Sequence, residues 1–247
     1  MINLCVLLNV TKSPSGAGKE CLQMIEPKRV YIFGAACGVY PERLLPPHRR
    51  EEDLYVAADG GYTAMQKMGI LPDIVIGDFD SVENGVTPET DFGGAEVIVH
   101  PIEKDDTDTM LAIKLGFERG YKCFTLYGCL GGERFEHSIA TCQSLGYIAE
   151  NGGKAVAYGE PRGNGKTMLV TMLKNGSLEF PNFYKGHFSV FAYGGESRGV
   201  TLKNFKYETS DVTLTPTFPL GVSNSFTEGK NCFVEVKDGT LMLVFYN

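Results

Sequence analysis

The apolar positions in the first 160 residues fall into short runs, most of them closed by a glycine or an acid. RVYIFGAA (29–36), LYVAAD (54–59), DIVIGD (73–78), AEVIVH (95–100), KCFTLYG (122–128) and KAVAYG (154–159) are rich in β-formers and bounded by turn residues. Each is expected to be a strand. Between them the pattern changes to helical spacing over 62–69, 107–119 and 135–150. In TDTMLAIKLGFERG, Met110, Ile113, Leu115 and Phe117 come close to helical spacing and Gly120 ends the run. Strands alternating with helices imply an α/β domain, a mostly parallel sheet with helices on both faces. Such sheets bind ligands at the carboxyl ends of their strands.

After about residue 163 the helical period disappears. GNGKTMLVTMLKNGSLEF has a Lys-Asn-Gly-Ser turn signal between two apolar runs, which predicts a hairpin. GHFSVFAYGGESRGVTLKNFKYE and CFVEVKDGTLMLVFY continue as short apolar segments separated by Gly or Asp-Gly. Three regions are therefore expected: an N-terminal extension (1–28), an α/β domain (29–163) and an all-β, sandwich-like domain (164–247). The linker is YGEPRGNGK, with one proline and three glycines.

Composition narrows the function classes. The formal charge of −7 argues against a nucleic-acid partner, which calls for a basic face. It leaves a nucleotide substrate open, since a metal ion supplies positive charge locally. The seven cysteines include no CxxC pair, which fits reduced thiols in the cytoplasm. MINLCVLLNV lacks the basic start and small-residue cleavage site of a secretory signal, and no apolar stretch reaches the length of a membrane span.

Four stretches carry candidate chemistry, each after a predicted strand. AADGG (57–61) ends a strand in Asp59 and leads through Gly60 and Gly61 into a helix. Its glycines allow close backbone approach to a ligand and the helix start favours anions, although Asp59 as a helix cap explains it equally well. IVIGDFDSV (74–82) presents Asp78 and Asp80 one residue apart, as a solvated turn, a nucleophile pair or a set of hard-oxygen ligands suited to Mg²⁺. EKDDTDTM (103–110) holds Asp105, Asp106 and Asp108, with Lys104 placed to clamp a phosphate. There Thr107 or Asp106 is the plain candidate for a helix cap. GCLGGERFEHS (128–138) offers Arg134 as a bidentate phosphate ligand behind two glycines, with Glu136 and His137 at a helix start. A fifth stretch, NVTKSPSGAGKE (9–20), fails as a phosphate loop, with Ser13 in place of the first glycine and Glu20 in place of the final hydroxyl. Acid- or glycine-rich ends on successive strands favour a metal-dependent nucleotide site.

With AADGG, LPDIVIGDFDSV, KDDTD, GGERFEH and, further on, GVSNS (221–225) in that order, the chain resembles the thiamine pyrophosphokinases over about residues 29–247. The resemblance implies a homodimeric enzyme that moves the pyrophosphoryl group of ATP to the thiamine hydroxyl, giving thiamine diphosphate and AMP. By position it implies that Asp78, Asp80 and Asp108 bind Mg²⁺ and take part in catalysis. Asp59, Gly60, Lys104, Thr107 and Arg134 would contact ATP. Glu136, Ser223 and Asn224 would meet thiamine. The family's GGRxDH pattern stands here as GGERFEH, with one residue added before Arg134 and a glutamate at 136.

Two other classes compete. Haloacid-dehalogenase-type phosphatases also end a strand in Asp-x-Asp, but on an early strand and without an upstream ADGG. A non-catalytic nucleotide- or thiamine-binding module would favour hydrogen-bond donors over so many acids.

Overall fold

The computed structural model describes residues 26–35, 40, 44–45, 48–79, 87, 91–101, 105–132, 134–159 and 166–246. The extension expected at 1–28 and the linker expected at 158–166 fall largely outside these residues. The chain divides into two compact units, Lys28–Met172 with Leu243–Asn247, and a second that holds Leu173–Met242.

In the first unit, β1 (Arg29–Phe33), β2 (Leu54–Ala58), β3 (Ile74–Gly77), β4 (Glu96–Val99), β5 (Cys123–Leu130) and β6 (Lys154–Gly159) alternate with α1 (Gly61–Lys67), α2 (Asp108–Glu118) and α3 (Phe135–Glu150). The strands run in the order β4-β3-β2-β1-β5-β6, all parallel, and the first residues of β7 (Met168–Phe180) add antiparallel to β6. This is a mixed sheet with helices, parallel in every pairing but the last. β1 and β2 are buried at every position, as a strand covered on both sides requires.

The amino edge of this sheet is closed by carboxylates. Asp53 accepts from the Arg29 backbone N–H at 2.9 Å and from Arg50 Nε at 2.8 Å. Asp73 accepts from the Tyr55 N–H and pairs with Arg49, whose guanidinium lies over the Tyr55 ring. These acids satisfy strand-end donors that would otherwise stay unpaired.

The second unit contains β8 (His187–Lys203), β9 (Thr209–Leu214), β10 (Asn224–Ser225), most of β11 (Cys232–Tyr246) and the later part of β7. No helix occurs among its described residues. Its strands run β10-β8-β11-β7, with β9 on β8. Phe180, Phe188, Phe205 and Phe226 form its aromatic core, with ring centroids 4.5–5.7 Å apart.

The hairpin expected at Lys-Asn-Gly-Ser is a single strand, because β7 runs straight through it. The Gly and Asp-Gly breaks expected in the next two segments likewise lie inside β8 and β11. Asn175, Gly194, Gly199 and Gly239 have φ of 44°, 74°, 67° and 107°, the left-handed backbone that also marks turns. Here it produces irregularities within long strands, as in the register shifts of β8 against β9. Gly239 lies so close to the Glu196 carbonyl that a Cβ would sit 2.6 Å from it, and its N–H donates to Asn175 Oδ1. Neighbouring strands thus fix the bend.

α1 begins directly beneath β1. A Cβ on Gly61 would lie 1.8 Å from the Phe33 carbonyl oxygen, an overlap that only movement of the helix relieves. Gly61→Ala is expected to cost about 2–4 kcal/mol, an overpacking penalty compounded by backbone displacement. Denaturant unfolding should show the lowered midpoint. An unchanged midpoint would mean that α1 is not seated as described.

Candidate functional site

The strand order reverses between β1 and β5, the position where an open α/β sheet leaves a crevice at its carboxyl edge. Glycines line this point. Gly34, just past β1, donates to the Tyr127 carbonyl at 2.8 Å, and a Cβ on it would lie 2.8 Å from the Gly128 carbonyl oxygen. Across the same edge, Asp59 follows β2 and Asp78 follows β3.

Gly77 is where these pieces converge. A Cβ there would meet the Asp59 Cα at 3.2 Å and the Asp59 N at 3.4 Å, and would stand 3.8 Å from Asp108 Oδ1. The absence of a side chain at 77 therefore lets the end of β2, the end of β3 and the first turn of α2 approach one another. Asp59 is not the helix cap, since the N-cap position of α1 is Gly60. Asp59 instead holds a left-handed backbone (φ 50°) with its N–H on the Ile76 carbonyl. Phe79, between Asp78 and Asp80 in the chain, also has positive φ (60°). For a bulky residue that conformation costs about 1–2 kcal/mol, and such strain concentrates at functional sites.

The acids of KDDTD separate by role. Thr107 is the N-cap of α2, its Oγ1 accepting from the Met110 N–H at 3.2 Å. Asp106 pairs with Lys114 at 2.6 Å. Asp108 stays in the first helical turn, facing Gly77. Asp80 and Lys104 lie outside the described residues.

The glycine-rich stretch after β5 is tied down from three sides. The Gly128 N–H donates to the Tyr40 hydroxyl at 3.0 Å, and that hydroxyl donates to the Tyr158 carbonyl. Gly131 donates to Ser138 Oγ, and Thr141 Oγ1 donates to the Cys129 carbonyl. Burial pushes the Cys129 thiol up to about 11, so it stays protonated at neutral pH. Arg134, 71% exposed, donates to Glu136 Oε1 at 2.8 Å and holds that carboxyl below its usual range. This exposed pair is weak and screened, and so can open for an anionic ligand.

In the second unit, GVSNS is firmly held. A Cβ on Gly221 would meet the Val190 carbonyl oxygen at 2.2 Å, and Val190 N–H donates to the Gly221 carbonyl. Asn224 is buried. Its Oδ1 accepts from Tyr207 N–H and Ser225 N–H, and its Nδ2 donates to the Tyr207 carbonyl. Ser223 is exposed, with φ 63° and its N–H on Ser189 Oγ. Asn224 therefore braces the loop on which Ser223 is displayed.

Sequence reasoning missed Gly77 as the contact point, and it missed Tyr40 and Phe92. Gly77 had a visible signal, a glycine inside an apolar strand. The other two had none. A cavity of about 560 Å³ at the amino edge, lined in part by Leu45, Arg49, Tyr55, Ile70 and Asp73, is not the acidic site. Its Arg49 and Asp73 pair with each other.

Among the described residues, no group of three or more His, Cys, Asp or Glu is close enough to hold a metal ion. Asp80 is not among them. The donors present nevertheless fit a hard divalent ion that shares its shell with phosphates and water, because Mg²⁺ needs only one or two carboxylates from the protein. Gly77 keeps open the space that a Cβ would fill beside Asp108 Oδ1.

The class the structure defines is a two-part protein, a parallel α/β sheet with acidic strand ends followed in the chain by an all-strand segment. Residues 48–157 match the model of the thiamin pyrophosphokinase catalytic domain, and residues 177–241 match that of the thiamin pyrophosphokinase vitamin B1 binding domain. The chain belongs to the thiamine pyrophosphokinase family. A thiamine pyrophosphokinase from Bacillus subtilis is 24% identical over 214 residues, covering 83% of this chain and 94% of the relative. The crystal structure of the Bacillus subtilis thiamine pyrophosphokinase superimposes with a TM-score of 0.68 at 22% identity, covering 88% of this chain and 98% of that one. Yeast thiamin pyrophosphokinase gives 0.69 at 17% identity, covering 89% and 86%. At these identities the structures establish the shared fold.

Gly77→Ala is expected to lower activity at least tenfold while costing only about 1 kcal/mol of stability, since a few tenths of an ångström at a reacting site outweigh the same shift in a core. Paired kinetic and unfolding measurements check this. Full activity in the folded variant would remove Gly77 from the site.

Proposed function

We propose that this protein transfers the pyrophosphoryl group of ATP to the hydroxyl of thiamine, giving thiamine diphosphate and AMP. The reading rests most on the gathering of Asp59, Gly77 with the adjoining Asp78, and Asp108 at one carboxyl edge, inside the stretch matched by the family's catalytic-domain model. The chemistry suits such an edge. Attack at a phosphorus surrounded by negative oxygens depends on charge neutralisation and alignment rather than covalent help.

Asp78, Asp80 and Asp108 are assigned to hold Mg²⁺, which when bound would neutralise phosphate charge. Lys104 and Arg134 hold phosphate oxygens, Arg134 exchanging Glu136 for the nucleotide. Thr107, Asp59 and Gly60 shape the floor of the ATP site. The thiamine hydroxyl oxygen bonds to the β-phosphorus, the bond from that phosphorus to the α,β-bridging oxygen breaks, and AMP leaves. Asp108 or Asp80 accepts the hydroxyl proton. On the thiamine side Ser223 and Glu136 make contact, while Asn224 fixes the loop that carries Ser223. We assign the 164–247 segment a sandwich-like arrangement, the assembly a homodimer and the enzyme a cytoplasmic setting. No helix among the described residues is long and apolar enough to cross a membrane.

Incubation with ATP, Mg²⁺ and thiamine, with the nucleotides then resolved, should give AMP in step with thiamine diphosphate. Inorganic phosphate formed without thiamine would indicate a phosphatase, and no turnover a binding module. Asp78→Asn should lose about 10²-fold or more in kcat with its unfolding midpoint retained, because electrostatic stabilisation of the transferring group is lost. Unchanged turnover in that variant would contradict the assignment.

A further inference from the structure

Phe79 stands in the left-handed region, at φ 60°, immediately after the strand-end acid Asp78. A large side chain keeps that backbone only where its surroundings over-determine it. The ring of Phe79 packs on Phe92, with centroids 5.9 Å apart and planes at 50°. Phe92 is 3% exposed and meets the ring of Tyr62 edge-on, with centroids 4.7 Å apart. Tyr62 is buried on α1, next to Gly61, which is seated under the Phe33 carbonyl.

Phe92 is itself held from both sides. Asp91 Oδ1 accepts the Gly93 N–H at 2.8 Å, and Gly93 and Gly94 turn the chain with φ of 70° and 87°. A relay of rings thus runs from Tyr62 at the start of α1, through Phe92, to the residue after Asp78. Tyr62 and Phe92 lie outside the acidic stretches, and a simple hydrophobic contact would not require an unfavourable backbone at Phe79.

We propose that Phe92 is a positioning residue: by anchoring the ring of Phe79 it holds the left-handed turn and so fixes Asp78 for a divalent cation. The proposal rests on the assignment of Asp78 to the metal given above. Through this relay the aromatic character of positions 79 and 92 is a requirement of cation binding, separate from any contribution to folding.

The test uses Mn²⁺ alone, titrated into the full chain without nucleotide and followed by electron paramagnetic resonance. Phe92→Leu and Phe79→Leu, which keep apolar volume but lose the ring contact, should weaken Mn²⁺ binding by about tenfold, as loss of a group supporting a metal ligand does. Phe79→Tyr, which keeps the ring at a half-buried position, should bind within about twofold of the parent, well inside that range. Thermal midpoints of all three read out folding independently. Wild-type affinity in both leucine variants overturns the relay, as does a loss in Phe79→Tyr equal to that in Phe79→Leu. Asp78→Asn separates the two levels of the argument. If it binds Mn²⁺ as tightly as the parent, or if the parent binds none, the metal assignment itself fails. If it loses binding while the leucine variants keep it, only the relay fails.

Discussion

The close approach of β2 and β3 at Gly77 is the constraint on which the acidic edge depends. Parallel strands leave about 4.8 Å between neighbouring backbones, so a side chain in the wrong place at the strand end would push Asp59 away from β3. Glycine at 77 removes that obstacle, and the Asp59 N–H closes onto the Ile76 carbonyl at 2.9 Å. The first turn of α2 then brings Asp108 up to the same point. Three segments far apart in sequence become one surface because one position has no Cβ.

The two edges of this sheet treat their carboxylates differently. At the amino edge Asp53 and Asp73 are consumed by strand-end N–H groups and by Arg50 and Arg49, which is structural work. At the carboxyl edge Asp59 and Phe79 carry left-handed backbone, whose cost has no role in folding that a glycine could not fill more cheaply. Composition alone does not distinguish these acids; their position along the strands does.

Much of the first unit was legible in the sequence because its signals are local. Alternation of β-rich runs with helical spacing located the strands and helices, and α3 spans the expected 135–150. Acids at strand ends marked Asp59 and Asp78, and the acidic run ahead of α2 marked Asp108. The second unit was harder to read. Asn175-Gly176 and Asp238-Gly239 look like turns, yet their left-handed residues bend long strands, and only the neighbouring strand decides which outcome holds. Tyr40 and Phe92 were invisible for a related reason. Their roles come from partners distant in the chain, the Gly128 N–H for one and the rings of Phe79 and Tyr62 for the other.

The central claim is that the acidic edge delivers two phosphoryl groups together to one acceptor hydroxyl. Tracing the label of [γ-³²P]ATP through a single turnover with thiamine and Mg²⁺ tests it most directly. The account predicts that the label appears in thiamine diphosphate, as the terminal phosphate, with unlabelled AMP as the co-product. Label in inorganic phosphate, or in a thiamine monophosphate formed alongside ADP, would contradict it.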